Sequence, residues 1–410
     1  MLLNDMIKKL AVNSMLIASM FLAACSSMTS SVSQEQTTQA NHYDSVILYQ
    51  KSNGLNLSVV GSNKKVTIPF KVKSGSSCKE YVNNPNVICR PNYTVYPTTI
   101  PTSLSVINEF YSESSGYNIK LPKVATNSNK KSHIIAVLDT GIDLTRHPEL
   151  KQYLWVNQGE IPSNGIDDDN NGYIDDIHGW NFVHNSPDIT DDTGHGTHVV
   201  GTILGIVAQN PNVKIMVLKF MHNNKGKLAG KIKALAYALN KDAQLSNHSY
   251  GTNHYSEEFK MYIKAAEEKD HVLIVAAGNE GKDIDQHPVY PAAFKLDNII
   301  TVGATSHNQR RANFSNYGEQ SIDILAPGVT IKSLGIQSDY TFMNGTSMSA
   351  PFITGLISLA QSASSKPLSE IKDTMLSTIN VNKSIDVAQF IETIIISDNL
   401  MCWNPRINNN

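Results

Sequence analysis

The chain has 410 residues, of which 41% are hydrophobic and only 17% are charged, and its formal net charge is −2. This length permits one large domain with an accessory segment, or two ordinary domains, with a sizeable core. The balance of 34 Lys and Arg against 36 Asp and Glu, without a long basic block, argues against a nucleic-acid partner.

Residues 1–25 have the composition of a signal peptide: Lys8 and Lys9, an apolar stretch too short for a permanent membrane span, and then Cys25. Ala23 and Ala24 before this cysteine resemble a bacterial lipobox, in which the thiol is lipidated and becomes the new N-terminus. Ordinary cleavage at a small-residue site is the alternative. Both interpretations predict the bacterial cell envelope as the location, with the chain either attached to the membrane by a lipid anchor or secreted.

The Ser/Thr/Gln-rich residues 26–41 predict a flexible tether. Residues 42–97 contain short alternating runs such as SVILYQ and VTIPFKV, which predict a small module rich in β-strands. Cys78 and Cys89 can pair in an oxidising compartment, and the sequence leaves this pairing open. We expect residues 98–131 to form a linker and the start of the catalytic region, and residues 396–410 to form a tail in which Cys402 has no functional role.

The pattern of apolar and polar residues changes at about residue 132. From there, near-continuous apolar runs (IIAVL, VKIMVLK, VLIVAA, IITVG) alternate with helical stretches (GKLAGKIKALAYALNK, SEEFKMYIKAAEEK). Buried strands that alternate with helices predict an α/β domain over residues 132–395, a parallel sheet flanked by helices on both faces. In such sheets ligands bind beyond the carboxyl ends of the strands.

Two polar residues lie at predicted element ends in the first half of this domain. Asp139 directly follows a buried strand in HIIAVLDTGID, and His195 stands between glycines just before the helix in GHGTHVVGTILGIV, where Gly201 and Gly205 permit close packing. For an isolated D-T-G stretch, a turn or N-cap aspartate is the favoured interpretation of Asp139. The H-x-x-H spacing of His195 and His198 is compatible with zinc, but no H-E-x-x-H follows, and we expect His198 to pack behind the site.

Two further candidates lie in the second half. Asn279 ends the stretch VLIVAAGN, where it is either a turn residue or an amide donor to a developing oxyanion. Ser347 stands at the head of an apolar helix, where it is either an N-cap or a nucleophile whose anion meets backbone N–H groups. In combination, Ser347 can attack while His195 takes its proton and Asp139 orients the imidazole.

The stretches AVLDTGID, GHGTHVVGT, AAGNEG and NGTSMSAP occur in the order that is typical of the subtilisin-like serine proteases, the subtilases, and the chain resembles that family over roughly residues 132–355. The resemblance implies a serine endopeptidase that needs no catalytic cofactor. Its triad would be Asp139, His195 and Ser347, and its oxyanion donors would be Asn279 and the N–H of Ser347. Phe352 and Ser349 depart from the common pattern, and we expect them to alter packing only.

The resemblance also implies a polypeptide substrate bound by strand addition along Ser249, Tyr250 and Gly251. Ala276, Ala277 and Gly278 would line the wall of the pocket for the side chain before the cut. Residues 42–97, which end in EYVNNPNVICRPNYTVYP, resemble the inhibitory propeptide of subtilases, so the module would be a folding aid and inhibitor that acts in cis.

The acidic stretch DDDNNGYIDDIHG lies between the Asp and His motifs and is a candidate structural calcium site. Read as an EF-hand-like loop, it offers Asp167, Asp169, Asn171 and the Tyr173 carbonyl at early positions. The resemblance to subtilases, in which similar loops bind calcium, implies a later oxygen ligand from Asp175 or Asp176. His178 stands where the EF-hand glutamate would be needed, so the loop is not a standard one. A solvated Asx-rich turn without metal is the alternative.

Two other functions fit the sequence less well. A catalytically silent lipoprotein of the same fold would bind peptides without cutting them, but it would not need a complete set of catalytic residues. An α/β-hydrolase esterase requires G-x-S-x-G and a different motif order, whereas Ser347 lies in G-T-S-M-S.

Overall fold

The computed structural model describes residues 45–50, 70–75, 87–91, 94–97, 132–207, 210, 212–379, 383–385 and 387–397. The predicted signal peptide with Cys25, the tether, the linker, Cys78 and Cys402 lie outside the described residues.

In chain order the strands are β1 (Ser45–Gln50), β2 (Phe70–Gly75), β3 (Val87–Pro91), β4 (Thr94–Pro97), β5 (His133–Asp139), β6 (Gly179–Asn181), β7 (Val213–Lys219), β8 (Met221–His222), β9 (Lys225–Lys227), β10 (Leu245–His248), β11 (Tyr250–Gly251), β12 (Val272–Ala276), β13 (Ile299–Thr305), β14 (Ile324–Pro327), β15 (Ile331–Leu334) and β16 (Tyr340–Met343). The helices are α1 (His195–Val207), α2 (Leu228–Asn240), α3 (Glu257–Glu267), α4 (Thr346–Ala363), α5 (Leu368–Ser377) and α6 (Val387–Ser397). Two short 3₁₀ helices span Pro148–Tyr153 and Ala292–Phe294.

The central sheet has seven strands in the order β14-β13-β12-β10-β5-β7-β6, and every neighbouring pair is parallel. The apolar runs predicted as buried strands form β5, β7, β12 and β13, in which nearly every side chain is buried. Strands covered on both faces have no solvent side, which is why these runs are continuously apolar instead of alternating. The predicted parallel α/β class is confirmed.

Helices cover both faces of the sheet. Helices α1 and α4 pack together on one face, in an apolar cluster that includes Val199, Ile203 and Leu356. Helices α2 and α3 cover the other face, with Leu235 and Phe259 in a second cluster. The carboxyl ends of β5 and β10, two central strands of the sheet, lie next to the starts of α1 and α4, because Asp139 contacts His195 and Ser249 contacts Ser347.

The two glycines of α1 differ in their surroundings. A Cβ on Gly201 would lie 2.4 Å from Ser333 Oγ, so the absence of a side chain permits close approach of the β15 segment, as predicted. A Cβ on Gly205 would meet no atom within 4 Å, and the prediction that Gly205 permits close packing is therefore wrong.

The described residues of the N-terminal module are all in strands. Strands β2, β1 and β3 form an antiparallel three-stranded sheet, and β4 joins a different sheet, in which it lies between β11 and β9. Among the described residues, no helix is both long and apolar enough to cross a bilayer.

Candidate active site

Asp139 and His195 meet at the carboxyl end of β5. Asp139 is the last residue of β5 and His195 is the first residue of α1, so each lies one position inside its element and not beside it as the sequence suggested. His195 Nδ1 lies 2.6 Å from Asp139 Oδ1, and both side chains are buried. A carboxylate only accepts hydrogen bonds, so Nδ1 carries the proton and Nε2 remains as the basic nitrogen. Among the described residues Nε2 has no hydrogen-bond partner.

Asp191 holds the start of α1 in place. Its Oδ1 accepts hydrogen bonds from the backbone N–H of Thr193 and Gly194 and from Thr140 Oγ1, at 2.8–3.1 Å. Its Oδ2 accepts two more from Thr197, from the backbone N–H at 2.8 Å and the hydroxyl at 2.7 Å. Thr140 Oγ1 also accepts the N–H of Gly196, so the neighbour of Asp139 and the neighbour of His195 share one buried network.

Ser347 is the second residue of α4, and Ser249 contacts it in both directions. Ser347 Oγ donates to the Ser249 carbonyl at 2.9 Å, and Ser249 Oγ donates to the Ser347 carbonyl at 2.9 Å. Asn247 Nδ2 donates to Ser249 Oγ and so orients it. In the site, Asp139 and His195 are therefore hydrogen-bonded to each other, while the Ser347 hydroxyl is hydrogen-bonded to the backbone carbonyl of Ser249.

Thr346 orients Asn279. The side-chain oxygen of Asn279 accepts the Thr346 backbone N–H at 2.9 Å and the Thr346 hydroxyl at 3.1 Å. The same hydroxyl accepts the N–H of Gly278 at 3.0 Å. Because these bonds engage the amide oxygen, they set which way the amide Nδ2 points, and they link the end of β12 to the start of α4.

The predicted substrate edge is already paired in this chain. Pro97 lies opposite Tyr250 and Tyr96 opposite Gly251, in antiparallel register. On its other side, β4 pairs with β9, where Val95 lies opposite Gly226. Val95 is fully buried in the apolar cluster on the α2 side. Strand β4, an extended segment of the chain itself, therefore lies between β9 and β11, and β11 is the predicted substrate strand.

Of the residues predicted to line the pocket wall, Ala276 and Ala277 are fully buried. Gly278 has a φ of +98°, and a Cβ there would lie 2.4 Å from Asn316 Nδ2. A side chain at this position would be strained and would clash, so glycine is required for the backbone to pass Asn316.

His198 does not share a site with His195. Its Nε2 lies 3.0 Å from the Ile331 carbonyl, and the side chain is fully buried. Burial lowers its pKa to about 3, so the ring is neutral and Nε2 donates to the carbonyl. The placement of His198 behind the site agrees with the prediction, and the H-x-x-H spacing does not create a zinc site.

A buried lysine lies behind the Asp–His pair. Lys219 Nζ donates to the Thr140 carbonyl and to Asp192 Oδ1, each at 2.5 Å. Partial burial would raise the pKa of Asp192, but the bond and charge of Lys219 and the N–H of Asn223 more than offset this, and the pKa is lowered.

The acidic loop brings three carboxylates together, from Glu160, Asp169 and Asp176, with one oxygen of each within 4.8 Å of the others. Burial raises the pKa of Asp176, although Tyr237 donates to it at 2.6 Å. Lys241 Nζ forms an ion pair with Asp169. Oxygen donors at this separation fit calcium, which takes six to eight oxygen ligands.

Two of the other predicted calcium ligands, Asp167 and Asn171, accept hydrogen bonds from backbone N–H groups. Asp167 lies outside the three-carboxylate group, and its two oxygens accept the N–H of Asn171 and of Gly172. The Asn171 side-chain oxygen accepts the N–H of Tyr173. Gly172 has a φ of +93°, the left-handed conformation that a sharp loop turn needs.

Sequence reasoning missed several residues of the site. The role of Asp191 could have been predicted, since an acidic residue a few positions before an apolar helix is typical of helix N-terminal capping. Thr346 and Glu160 had no such signal, because their partners are distant in the sequence.

Comparison with known proteins identifies the family. The subtilase family model matches residues 130–391. Subtilisin-like protease 1 of Plasmodium falciparum (isolate 3D7) is 33% identical over 252 residues, which is 55% of this chain and 36% of that protein. Thermophilic serine proteinase of Bacillus sp. (strain AK1) is 30% identical over 318 residues, which is 74% of this chain and 72% of that protein.

The chain thus spans about a third of the length of the Plasmodium relative and most of the Bacillus one. A crystal structure of a lanthipeptide protease has the same fold, with a TM-score of 0.52 and 21% identity over 64% of this chain and 87% of that one. With the family model covering well over half of the sequence, this chain belongs to the subtilase family.

Proposed function

We propose that this chain is a serine endopeptidase that cuts extended polypeptides, with Asp139, His195 and Ser347 as its triad. The observation that carries the proposal is the 2.6 Å contact between Asp139 and His195 Nδ1, which leaves Nε2 as a base at the carboxyl end of β5. Ser347, the second residue of α4, contacts Ser249, which directly follows the neighbouring strand β10.

The proposed reaction starts with rotation of the Ser347 hydroxyl from the Ser249 carbonyl to His195 Nε2. Ser347 Oγ then attacks the scissile carbonyl while His195 takes its proton, and Asp139 stabilises the resulting imidazolium. His195 next returns the proton to the leaving amine. A water molecule, activated in the same way, hydrolyses the acyl-enzyme.

Asn279 and the N–H of Ser347 are the proposed oxyanion donors. The two bonds that Asn279 Oδ1 accepts from Thr346 hold its amide in one orientation, so no reorganisation is required as charge develops. The N-terminus of α4 adds a favourable dipole.

Strand β4 occupies the position that we propose for an extended substrate. Its antiparallel pairing with Tyr250–Gly251 on one side and Lys225–Lys227 on the other is the strand addition expected of an extended peptide. We propose that residues 42–97 act in cis as an inhibitor, with β4 in the path of the substrate and buried Val95 in an apolar subsite.

We propose a location in the bacterial cell envelope, with a lipid anchor on Cys25. The support is the sequence of the first 25 residues, which precede the described part of the chain. Incorporation of labelled palmitate that is lost in Cys25→Ser would support the anchor, and equal labelling of both forms would contradict it.

We also propose structural calcium at the acidic loop, held by Glu160, Asp169 and Asp176. Bound calcium would offset two of the three negative charges, and Lys241, which is paired with Asp169, would offset the third. A metal that binds only the folded state raises its stability, by about 2.7 kcal/mol at a concentration of 100 times Kd. The melting temperature of the Ser347→Ala chain should rise with calcium and fall with chelator, and Asp176→Asn should abolish the difference. An unchanged midpoint would support the metal-free turn.

The main test compares Ser347→Ala with Ser349→Ala. Ser349 is equally buried and lies two residues further along α4, but its hydroxyl donates to the Ala326 and Pro327 carbonyls. Wild type and Ser349→Ala should digest an unfolded protein and react with a serine-directed phosphonate, whereas Ser347→Ala should do neither. If Ser347→Ala is as active as the other two, Ser347 is not the nucleophile and the proposal fails; if none of the three is active, the enzyme proposal fails and the silent alternative is favoured.

A further inference from the structure

A chain of buried polar side chains runs behind the proposed substrate strand. Tyr250 OH lies 2.6 Å from His248 Nδ1, and His248 Nε2 lies 2.7 Å from Ser246 Oγ. Ser246 Oγ lies 2.7 Å from His271 Nε2, and His271 Nδ1 lies 2.7 Å from the Ala243 carbonyl. All four side chains are fully buried. We refer to Tyr250, His248, Ser246 and His271 as the polar chain.

One backbone carbonyl determines the direction of every bond in the polar chain. The Ala243 carbonyl can only accept, so His271 Nδ1 carries a proton and Nε2 accepts from Ser246 Oγ. Ser246 then accepts from His248 Nε2–H, and His248 Nδ1 accepts from the Tyr250 hydroxyl. Burial lowers the pKa of His271 to about 4 and that of His248 well below its usual value, so both rings are neutral near pH 7.

The polar chain connects the substrate edge to the centre of the fold. Ser246 and His248 are alternate residues of β10 and point to the same face. Tyr250 belongs to the edge strand β11, and its ring packs edge-on against Phe220, with centroids 4.7 Å apart. A buried phenol needs a hydrogen-bond partner, and His248 supplies it. The side chain of Tyr250 is thus fixed in the interior while its backbone pairs with β4.

We propose that Ser246, His248 and His271 are positioning residues for substrate binding, which fix Tyr250 and thereby hold the backbone of Tyr250–Gly251 in place for an incoming strand. This inference rests on the proposed function only in taking β11 as the substrate strand. None of the three residues is part of the proposed triad or oxyanion site.

The first test is hydrogen exchange in the full chain carrying Ser347→Ala, because this variant cannot digest itself. Ser246→Ala breaks the polar chain at its centre. The matched control is Ser358→Ala, since Ser358 is also fully buried and its Oγ lies 2.6 Å from a histidine, His133 Nε2, at the far end of β5.

With Ser246→Ala, peptides that cover Thr94–Pro97 and Tyr250–Gly251 should exchange about fivefold faster, the equivalent of one typical net hydrogen bond. Ser358→Ala should leave them unchanged. Equal exchange in the two variants overturns the proposal. Because this readout needs no catalysis, it decides the proposal even if the chain proves inactive.

The second test is steady-state cleavage of a peptide in the active background. Ser246→Ala and Tyr250→Phe, which deletes only the hydroxyl, should each raise KM about fivefold and leave kcat within about twofold. Ser358→Ala should change neither. A fall in kcat at constant KM, or KM values equal to that of Ser358→Ala, would show that the polar chain has a general structural role and would overturn the proposal.

Discussion

Replacement of Asp191 by asparagine should destabilise the fold severely, because the carboxylate accepts five hydrogen bonds at the start of α1. In the better orientation, the asparagine oxygen keeps the three bonds made by Oδ1. Its NH₂ group then faces the N–H and the hydroxyl of Thr197, so the two hydrogen bonds that these groups donate to Oδ2 are lost. The opposite orientation loses three bonds instead of two.

The magnitude follows from these contacts. Two bonds to a charged acceptor are lost at roughly 1.5–3 kcal/mol each, and the Thr197 N–H is left buried without an acceptor. We expect the free energy of unfolding to fall by about 4 kcal/mol, a large part of the 5–15 kcal/mol typical of a folded protein.

The assay is urea unfolding followed by tryptophan fluorescence, in the full chain carrying Ser347→Ala. The control is Asp188→Asn, the same chemical change three residues earlier at an exposed position, where the carboxylate accepts the Thr190 N–H. That variant should lose less than about 1 kcal/mol. If the two variants are equally stable, the claim that Asp191 anchors the helix start is refuted.

Three further predictions concern other parts of the structure. Thr346→Val should lower kcat because it removes one of the two donors to Asn279, and the loss should be at most the 10²–10³-fold known for the oxyanion asparagine of subtilisin itself. Thr346→Ser should restore the rate, and equal kcat values for wild type and both variants would contradict the role of Thr346 in orienting Asn279. As the pH falls from 7 to 4, the free energy of unfolding should decrease, because the unfolded state protonates His271 near pH 6.5 and the folded state only near 4. His271 accounts for about 3 kcal/mol of this decrease. Urea unfolding at both pH values should therefore show a decrease that is smaller by this amount in His271→Gln. Within α1, Gly205→Ala should raise the free energy of unfolding by up to about 1 kcal/mol, whereas Gly201→Ala should lower it, since its Cβ would lie 2.4 Å from Ser333 Oγ; the same sign for both would be inconsistent with the packing.

Sequence reasoning reached the α/β class and the proposed triad for different reasons. The class was predictable because strands buried on both faces must be apolar at every position, as in Val272–Ala276, and this leaves an unmistakable local pattern. The triad was accessible through short motifs, since tight turns and helix starts around Asp139, His195 and Ser347 impose small residues nearby. Resemblance to a family then combined these motifs into one site.

The same local patterns misjudged features that depend on distant neighbours. Gly205 has the same helical context as Gly201, and only the position of the β15 segment distinguishes them. Glu160 joins Asp169 and Asp176 because the loop folds back on itself, which no local spacing predicts.

By itself, the sequence determined which segments form buried strands and helices, and which polar residues lie within a position of their ends, because burial and turn geometry restrict residue types locally. Only the tertiary structure decided that Asp191 anchors the base, that Thr346 orients Asn279, and that β4 lies along Tyr250–Gly251. It alone also connected Tyr250 to His271 through two residues of β10. Thr346 and Asn279, β4 and β11, and Ser246 and His271 are far apart in the chain, and a hydrogen bond depends on distance in space, which local sequence patterns do not specify.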